Sequence, residues 1–337
     1  MPSPIRILRG HFGMANVWNR TADSGQRRDT VGIGLTIGTV NTVFAVATRD
    51  AGLSVRTART GVHLDPEDNG RVRAPSESGS TITDFADLAN DSEAISVDGQ
   101  LWSPPKLIAA VVRNRLTSAP TGAAVVSTYP ACYSNKQVAL LRQAHDSAGG
   151  RRVRMVPEPI AAVEWLRHEH GHSDSRPILV YDLGANSLDI TVVRADPDCG
   201  CYEIAGTSTR SYEFGGRPLS ALIARQAATI SATGFDQPHS EVVDVVKVRS
   251  AHIRDSMSLV RETVWQAGMP MSEIGRILVV GGACRGPEAM YVLSELGPQV
   301  VRSADPGQCG AVGAALYAAR SPCSAERDSH FAAHGQR

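Results

Sequence analysis

Lysine is almost missing from this chain. Lys106, Lys136 and Lys247 are the only three, and the other 31 cationic side chains are arginines, so each lysine is worth inspecting as a catalytic group. An excess of either charge is missing as well: 34 Lys and Arg balance 34 Asp and Glu, which gives no bulk attraction for nucleic acid or an anionic membrane surface. No apolar run approaches the length of a membrane span, and the Arg-containing N-terminus lacks the continuous apolar core of a signal peptide, so a cytoplasmic protein is expected. The six cysteines are scattered through a chain long enough to build two lobes without covalent staples. Cys199-Gly200-Cys201 has too short a spacing for a zinc knuckle and reads as part of a hairpin turn after Asp196-Pro197-Asp198. His168, His170 and His172 close a helix beginning near Pro159, where imidazoles suit the last carbonyls without any metal.

What is present is organised around PILVYDLGANSLDITVVR, Pro177 to Arg194. An apolar strand, Ile178 to Tyr181, runs into a tight turn carrying Asp182, Gly184 and Ser187; a second strand starts near Leu188 with Asp189 at its entrance. Small residues at the tip let backbone N–H groups approach an anion, and the two aspartates lie within reach of a metal ion or its waters. Phosphate with a divalent cation fits this pattern, as does an ordinary hairpin with two solvated aspartates. The same device occurs earlier: VGIGLTIGTVNTVFAVA, Val31 to Ala47, is two apolar runs hinged on Gly38-Thr39-Val40-Asn41. Two phosphate-sized hairpins in one chain favour the first reading.

Residues 1–29 read as a basic, mobile leader and 321–337 as a loose tail. From Gly61 to Asn90 the chain is polar and rich in Ser, Gly and Asp, a surface excursion with short strands. Ser103-Pro104 starts a helix to about Leu116, Ala123–Thr128 is a buried strand, and Ser134–Ala148 a helix ending at Gly149-Gly150. Val153–Val156 is a short strand that Pro157-Glu158-Pro159 breaks before a helix over Ile160–Arg167. Beyond the central hairpin come strands at Ile190–Val193 and Tyr202–Thr207, then a helix opened by Phe214-Gly215-Gly216 that runs to Thr233. After a loop at Gly234–Ser240, Glu241–Ala267 reads as one long amphipathic helix with Val242, Val246, Ile253, Met257, Val260 and Val264 on its stripe. Ile277–Val280, Pro287–Leu296 and Gly310–Ala319 complete the set as strand, helix and helix. The alternation argues for an α/β fold with mixed sheets.

From about Thr30 to Ala319 this order resembles the nucleotide-binding domain of the heat shock protein 70 (DnaK-type) chaperones, within the actin-like ATPase superfamily. GLTIGTVNTVFAV is similar to the family's first phosphate loop, GIDLGTTNSxVAV, and STYPACYSNKQVALLRQAHDSAGG to its TVPAYF hinge and the helix that follows. VPEPIAAVEWL resembles NEPTAAALAY, VYDLGANSLDITVV resembles VYDLGGGTFDVSIL, FGG resembles the start of LGGxDFD, and VVGGACRGP the adenosine motif VGGSTRIP. The resemblance implies a two-lobed fold with a mixed sheet flanked by helices in each lobe: lobe I over 30–175, lobe II over 176–303, and a helix over 304–320 returning to lobe I. It implies ATP or ADP with Mg²⁺ as ligands. Gly38, Thr39 and Asn41 would lie on the β- and γ-phosphates, and Gly184 and Ser187 on the second phosphate loop. Asp182, Asp189 and Glu158 would order the metal, through water, and the attacking water. Gly215 and Gly216 would bind the nucleotide at the next turn, and Gly281, Gly282 and Arg285 would cradle the adenosine.

The departures weaken hydrolysis. Thr36 stands where the family has an aspartate, Val40 replaces a threonine, and Ala185-Asn186 replaces two glycines. No lysine or arginine occurs between Arg73 and Lys106, where the family keeps a lysine that positions water. Arg217-Pro218-Leu219 replaces DFD, and the segment carrying the adenine clamp shrinks to Gly234–Ser240. Shortened subdomains and an expected lack of a peptide-binding domain make a complete foldase cycle an unexpected activity for this sequence. A slow ATPase module, or a pseudo-ATPase acting as a binding or regulatory module toward unknown protein partners, is the expectation; a small-molecule kinase lacks an acceptor segment.

Overall fold

Gly32–Ile37 (β1) and Asn41–Thr48 (β2) pair antiparallel across the first small-residue turn, and Gly52–Arg59 (β3) continues the meander. The computed structural model describes residues 31–48, 52–65, 71–73, 81–90, 93–97, 100–117, 119–147, 153–171, 175–195, 201–233 and 243–320. The excursion that follows holds β4 (Val62–Asp65), β5 (Arg71–Arg73) and β6 (Thr81–Ile82) in a three-stranded sheet, then a ribbon of β7 (Ile95–Val97) and β8 (Gln100–Trp102). Helix α1 (Pro104–Leu116), β9 (Ala124–Tyr129), α2 (Asn135–Ser147), β10 (Val153–Pro157) and α3 (Glu158–His170) come next. β9 lies parallel to β1, and β10 parallel to β9.

The pattern then repeats. β11 (Ile178–Leu183), β12 (Leu188–Ala195) and β13 (Tyr202–Ser211) form the second meander, followed by α4 (Gly216–Thr233), α5 (Val245–Asp255) and α6 (Met257–Gln266). β14 (Arg276–Val280), α7 (Glu288–Ser294), β15 (Gln299–Arg302) and α8 (Cys309–Arg320) close the described chain. The sheets are ordered β10-β9-β1-β2-β3 and β15-β14-β11-β12-β13, so each has its fifth, fourth, first, second and third strands side by side. Two mixed five-stranded sheets of one topology, flanked by helices, make the two-lobed actin-like ATPase fold. Among the described residues no third large sheet occurs.

Between the sheets lie α3 and α8, in one core that takes Val43 and Ala45 from β2, Val180 from β11 and Leu278 from β14. Small residues let this layer close. A Cβ on Gly32 or Gly34 would overlap the carbonyl oxygens of Ala315 or Ala311 in α8, and one on Gly313 would overlap the Ala161 carbonyl in α3. The outer faces are covered by α1 and α2 on the first sheet and by α5, α6 and α7 on the second.

Three expectations change. The helix over Glu241–Ala267 is two helices, broken at Ser256, whose buried hydroxyl donates to the Ile253 carbonyl at 2.7 Å and meets the Tyr181 hydroxyl at 2.9 Å. A serine that satisfies a backbone carbonyl competes with the helical ladder. The break leaves Val248, Ile253, Met257, Val260 and Val264 buried while Val246 is 61% exposed; Val242 lies outside the described residues. Pro157-Glu158-Pro159 does not delay the next helix, because Glu158 is the first residue of α3 and Pro159 sits in its first turn, where a missing N–H costs nothing. The excursion is not wholly superficial: Val62 and Phe85 are fully buried, and Asp87 nearly so. The turn over 196–199, the loop over 234–240, the leader and the tail lie outside the described residues; Cys201 is disulfide-bonded.

Candidate nucleotide-binding site

The two hairpin tips close in the same way. Gly38 N–H donates to the Asn41 carbonyl at 3.0 Å, and Gly184 N–H to the Ser187 carbonyl at 2.9 Å. These bonds fold each tip inward and leave the amides of Thr39, Val40, Ala185 and Asn186 without an acceptor among the described residues. Thr60 braces the first tip, its N–H on the Val40 carbonyl and its hydroxyl on the Gly38 carbonyl. The start of α4 braces the second: Gly216 N–H reaches the Gly184 carbonyl at 3.0 Å and Arg217 N–H the Ala185 carbonyl at 2.7 Å. Gly215 makes that approach possible, since it has φ +151° and a Cβ there would come within 2.8 Å of the Asn186 backbone. It stands behind the loop, its N–H on Nε2 of His252, while Gly216 lines the cavity. Burial holds the His252 pKa down, consistent with a neutral acceptor nitrogen.

Both tips line a single cavity of about 440 Å³ between the sheets, together with Glu158, Asp182, Asp189, Gly281, Gly282 and Arg285. Of the residues expected at the nucleotide only Gly215 is outside its walls, and the three lysines, Lys106, Lys136 and Lys247, are outside them too. The carboxylates are aligned by strand register, for one rung of the second sheet runs Arg210, Asp189, Asp182, Val280 across β13, β12, β11 and β14. Glu158 enters from the start of α3, where Thr128 Oγ1 donates to it at 3.3 Å and Thr36 Oγ1 lies 3.0 Å from Thr128. Thr36 therefore reaches Glu158 through a hydroxyl relay instead of supplying a charge.

Among the described residues Glu158 and Asp182 form no ion pair of their own. Desolvation by the cavity walls, then mutual repulsion with the neighbouring carboxylates, raises both pKa values well above the ordinary carboxylate range. Asp189 differs. Both its oxygens accept from Arg210, Nε at 2.8 Å and a terminal nitrogen at 2.9 Å, and the other terminal nitrogen reaches Asp87 Oδ1 at 2.7 Å. Tyr212 donates to Asp87 Oδ2 at 2.9 Å, and Arg217 pairs with Asp84 at 2.9 Å, so β13 and α4 clasp the excursion across the cavity mouth. No local pattern of residues signals this clasp: Arg210 and Asp87 meet only through register and lobe packing.

At the other end Gly281 takes φ +91°, ψ 145°, and a Cβ there would overlap the Leu183 carbonyl and Oδ1 of Asp182. The turn over Gly282–Arg285 is held from outside the motif. One terminal nitrogen of Arg302 donates to the carbonyls of Cys284, Arg285 and Gly286 at 2.6–2.8 Å, and Arg285 pairs with Asp305 at 3.0 Å.

The family model of the Hsp70 protein matches residues 75–236, which hold Glu158, the second tip and Arg210. The chaperone protein DnaK of Elusimicrobium minutum is 24% identical over 292 residues, covering 71% of this chain and 46% of that one. Those of Deinococcus proteolyticus (25% over 282 residues, 67% and 44%) and Thermus thermophilus (24% over 283 residues, 66% and 45%) match similarly. The chain is similar to the Hsp70 nucleotide-binding domain at low identity. It spans about half the length of the curated relatives it matches. No helix among the described residues is long and apolar enough to cross a membrane.

The donor set fits Mg²⁺ at one place. Glu158 and Asp182 keep raised pKa values in spite of the nearby Arg210, a strain that a divalent ion held through its waters would relieve; no group of three His, Cys, Asp or Glu side chains among the described residues is placed to hold a metal directly. Asp189 is already neutralised, and Thr36 brings no carboxylate.

Proposed function

We propose that this Hsp70 relative is an adenine-nucleotide-binding module that takes ATP or ADP with Mg²⁺ between its two hairpin tips and turns ATP over slowly at most. The observation that carries the reading is the pair of like-folded tips presenting four unpaired amides to one cavity. The amides of Thr39, Val40, Ala185 and Asn186, with the Ser187 hydroxyl, would hold phosphate oxygens; Gly281, Gly282 and Arg285 would carry the adenosine. Asp182 and Glu158 would hold Mg²⁺ through its waters, and the ion would supply charge to the phosphates. Glu158, fed by the Thr128 hydroxyl, is the group best disposed to orient an attacking water. A chaperone-related or regulatory role in the cytoplasm, exerted on protein partners, follows from the same reading.

One observation favours a second reading, a pseudo-ATPase that works as an interaction module. Asp189 is committed to Arg210, and losing a positioned group typically costs about 10²–10³ in rate. Calorimetric titration with ATP and Mg²⁺, on the natural chain and on Asp182→Asn, separates the outcomes. Saturable binding that the variant weakens supports the nucleotide site; no heat and no thermal shift at millimolar ATP removes it and leaves the protein-interaction reading. Single-turnover hydrolysis then decides between ATPase and pseudo-ATPase.

A further inference from the structure

Three cations line the cavity, and they are not equivalent. Arg217 and Arg285 are more than half exposed, each paired with one rim carboxylate, Asp84 and Asp305. Arg210 is the inner one, its side chain only 10% exposed. Three of its five N–H groups go to Asp189 and Asp87, and its guanidinium faces the rings of Tyr133 and Tyr212 about 5.9 and 6.0 Å away. Of the remaining two, one lies toward the Tyr212 hydroxyl and the other has no acceptor among the described residues. Position gives the guanidinium its meaning. On the shared rung Arg210 lies three strands from Val280, the residue before the Gly281 turn, which at the usual strand spacing is roughly 14 Å. A nucleotide with its adenosine at Gly281–Arg285 and its phosphates on the two tips therefore points the last of those phosphates toward Arg210.

Resting on the nucleotide reading above, we propose that Arg210 is the specificity-determining residue that reads the terminal phosphate, so that the site distinguishes a nucleoside triphosphate from the diphosphate. Asp189 and Asp87 hold the guanidinium in place before the ligand arrives, and its remaining N–H groups, one of them beside the Tyr212 hydroxyl, supply charge-assisted hydrogen bonds that only the longer phosphate chain reaches. A fixed guanidinium loses little freedom on binding.

The test measures ATP and ADP affinity by calorimetry, with Mg²⁺, for the natural chain, Arg210→Gln and Arg210→Lys, with melting curves to establish that each variant folds. The expected result is that Arg210→Gln weakens ATP about 10- to 100-fold while ADP changes less than about threefold, with Arg210→Lys between them. A purely structural role for Arg210 would weaken both nucleotides alike and overturns the inference, as does an unchanged ATP affinity. Either of those leaves the nucleotide site standing; a natural chain that binds neither nucleotide overturns the site and the inference together.

Discussion

Gly281→Ala tests whether the second sheet brings its adenosine-side turn onto Asp182. Two costs apply. The backbone at φ +91°, ψ 145° is a region essentially reserved for glycine, where another residue costs about 1–3 kcal/mol. The added methyl would overlap the Leu183 carbonyl and Asp182 Oδ1, both held by the β11 ladder, for another 1–3 kcal/mol or so of overpacking. Gly268→Ala is the matched control: it also has positive φ, at +78°, but nothing lies within 4 Å of the new methyl, so only a strain of about 1 kcal/mol remains. For a domain of this size each kcal/mol lowers the melting temperature by roughly 2–4 °C, so Gly281→Ala should melt about 4–24 °C lower and Gly268→Ala only a few degrees lower. Differential scanning calorimetry of both variants gives the comparison. Equal shifts would refute the close approach of the turn to Asp182.

Other consequences follow from the carboxylates and the clasp. Because Glu158 and Asp182 have folded pKa values raised above their unfolded ones, their contribution to stability is full in acid and is lost as pH rises through the neutral range. The ligand-free chain should therefore melt progressively lower from about pH 5 to pH 8, more steeply than Glu158→Gln, and Mg²⁺ with nucleotide should bind more tightly as pH rises; parallel pH profiles for the two proteins would count against the carboxylate pair. Asp87→Ala removes an acceptor from both Arg210 and Tyr212 and should cost about 2–4 kcal/mol in urea unfolding, softened because Asp189 still pairs with Arg210. Tyr212→Phe should be non-additive with it by at least about 0.5 kcal/mol; strict additivity would mean that the clasp is not one network.

Much of this arrangement is legible in the sequence because it is local. A strand, a small-residue tip and a second strand announce themselves by alternation and by glycine, and the occurrence of the device twice points to two similar halves, which the paired sheets bear out. The Gly and Ala content of α8 signals a helix lying close to its neighbours, and Gly32, Gly34 and Gly313 are the positions that let it. What stays hidden depends on partners distant in sequence. The break at Ser256 follows from a hydroxyl that meets Tyr181, on a strand of the same lobe, and periodicity continues straight through it. Arg210 stands beside Asp189 only because β12 and β13 pair in one register, with a bulge between Ile190 and Val192. Asp87 belongs to a polar segment that reads as surface until Arg210 and Tyr212 cover it. Gly215 shows the reverse case: a glycine in a ligand-binding motif whose work is to let α4 approach the tip from behind.

The central claim is that one ligand bridges both tips, and amide hydrogen exchange with and without ATP and Mg²⁺ tests it most directly. The four amides at Thr39, Val40, Ala185 and Asn186 have no acceptor among the described residues and should exchange fast in the free chain. On adding ATP, slowing in the segments that hold both tips is the predicted result. Slowing at one tip alone, or at neither, would contradict a shared nucleotide site.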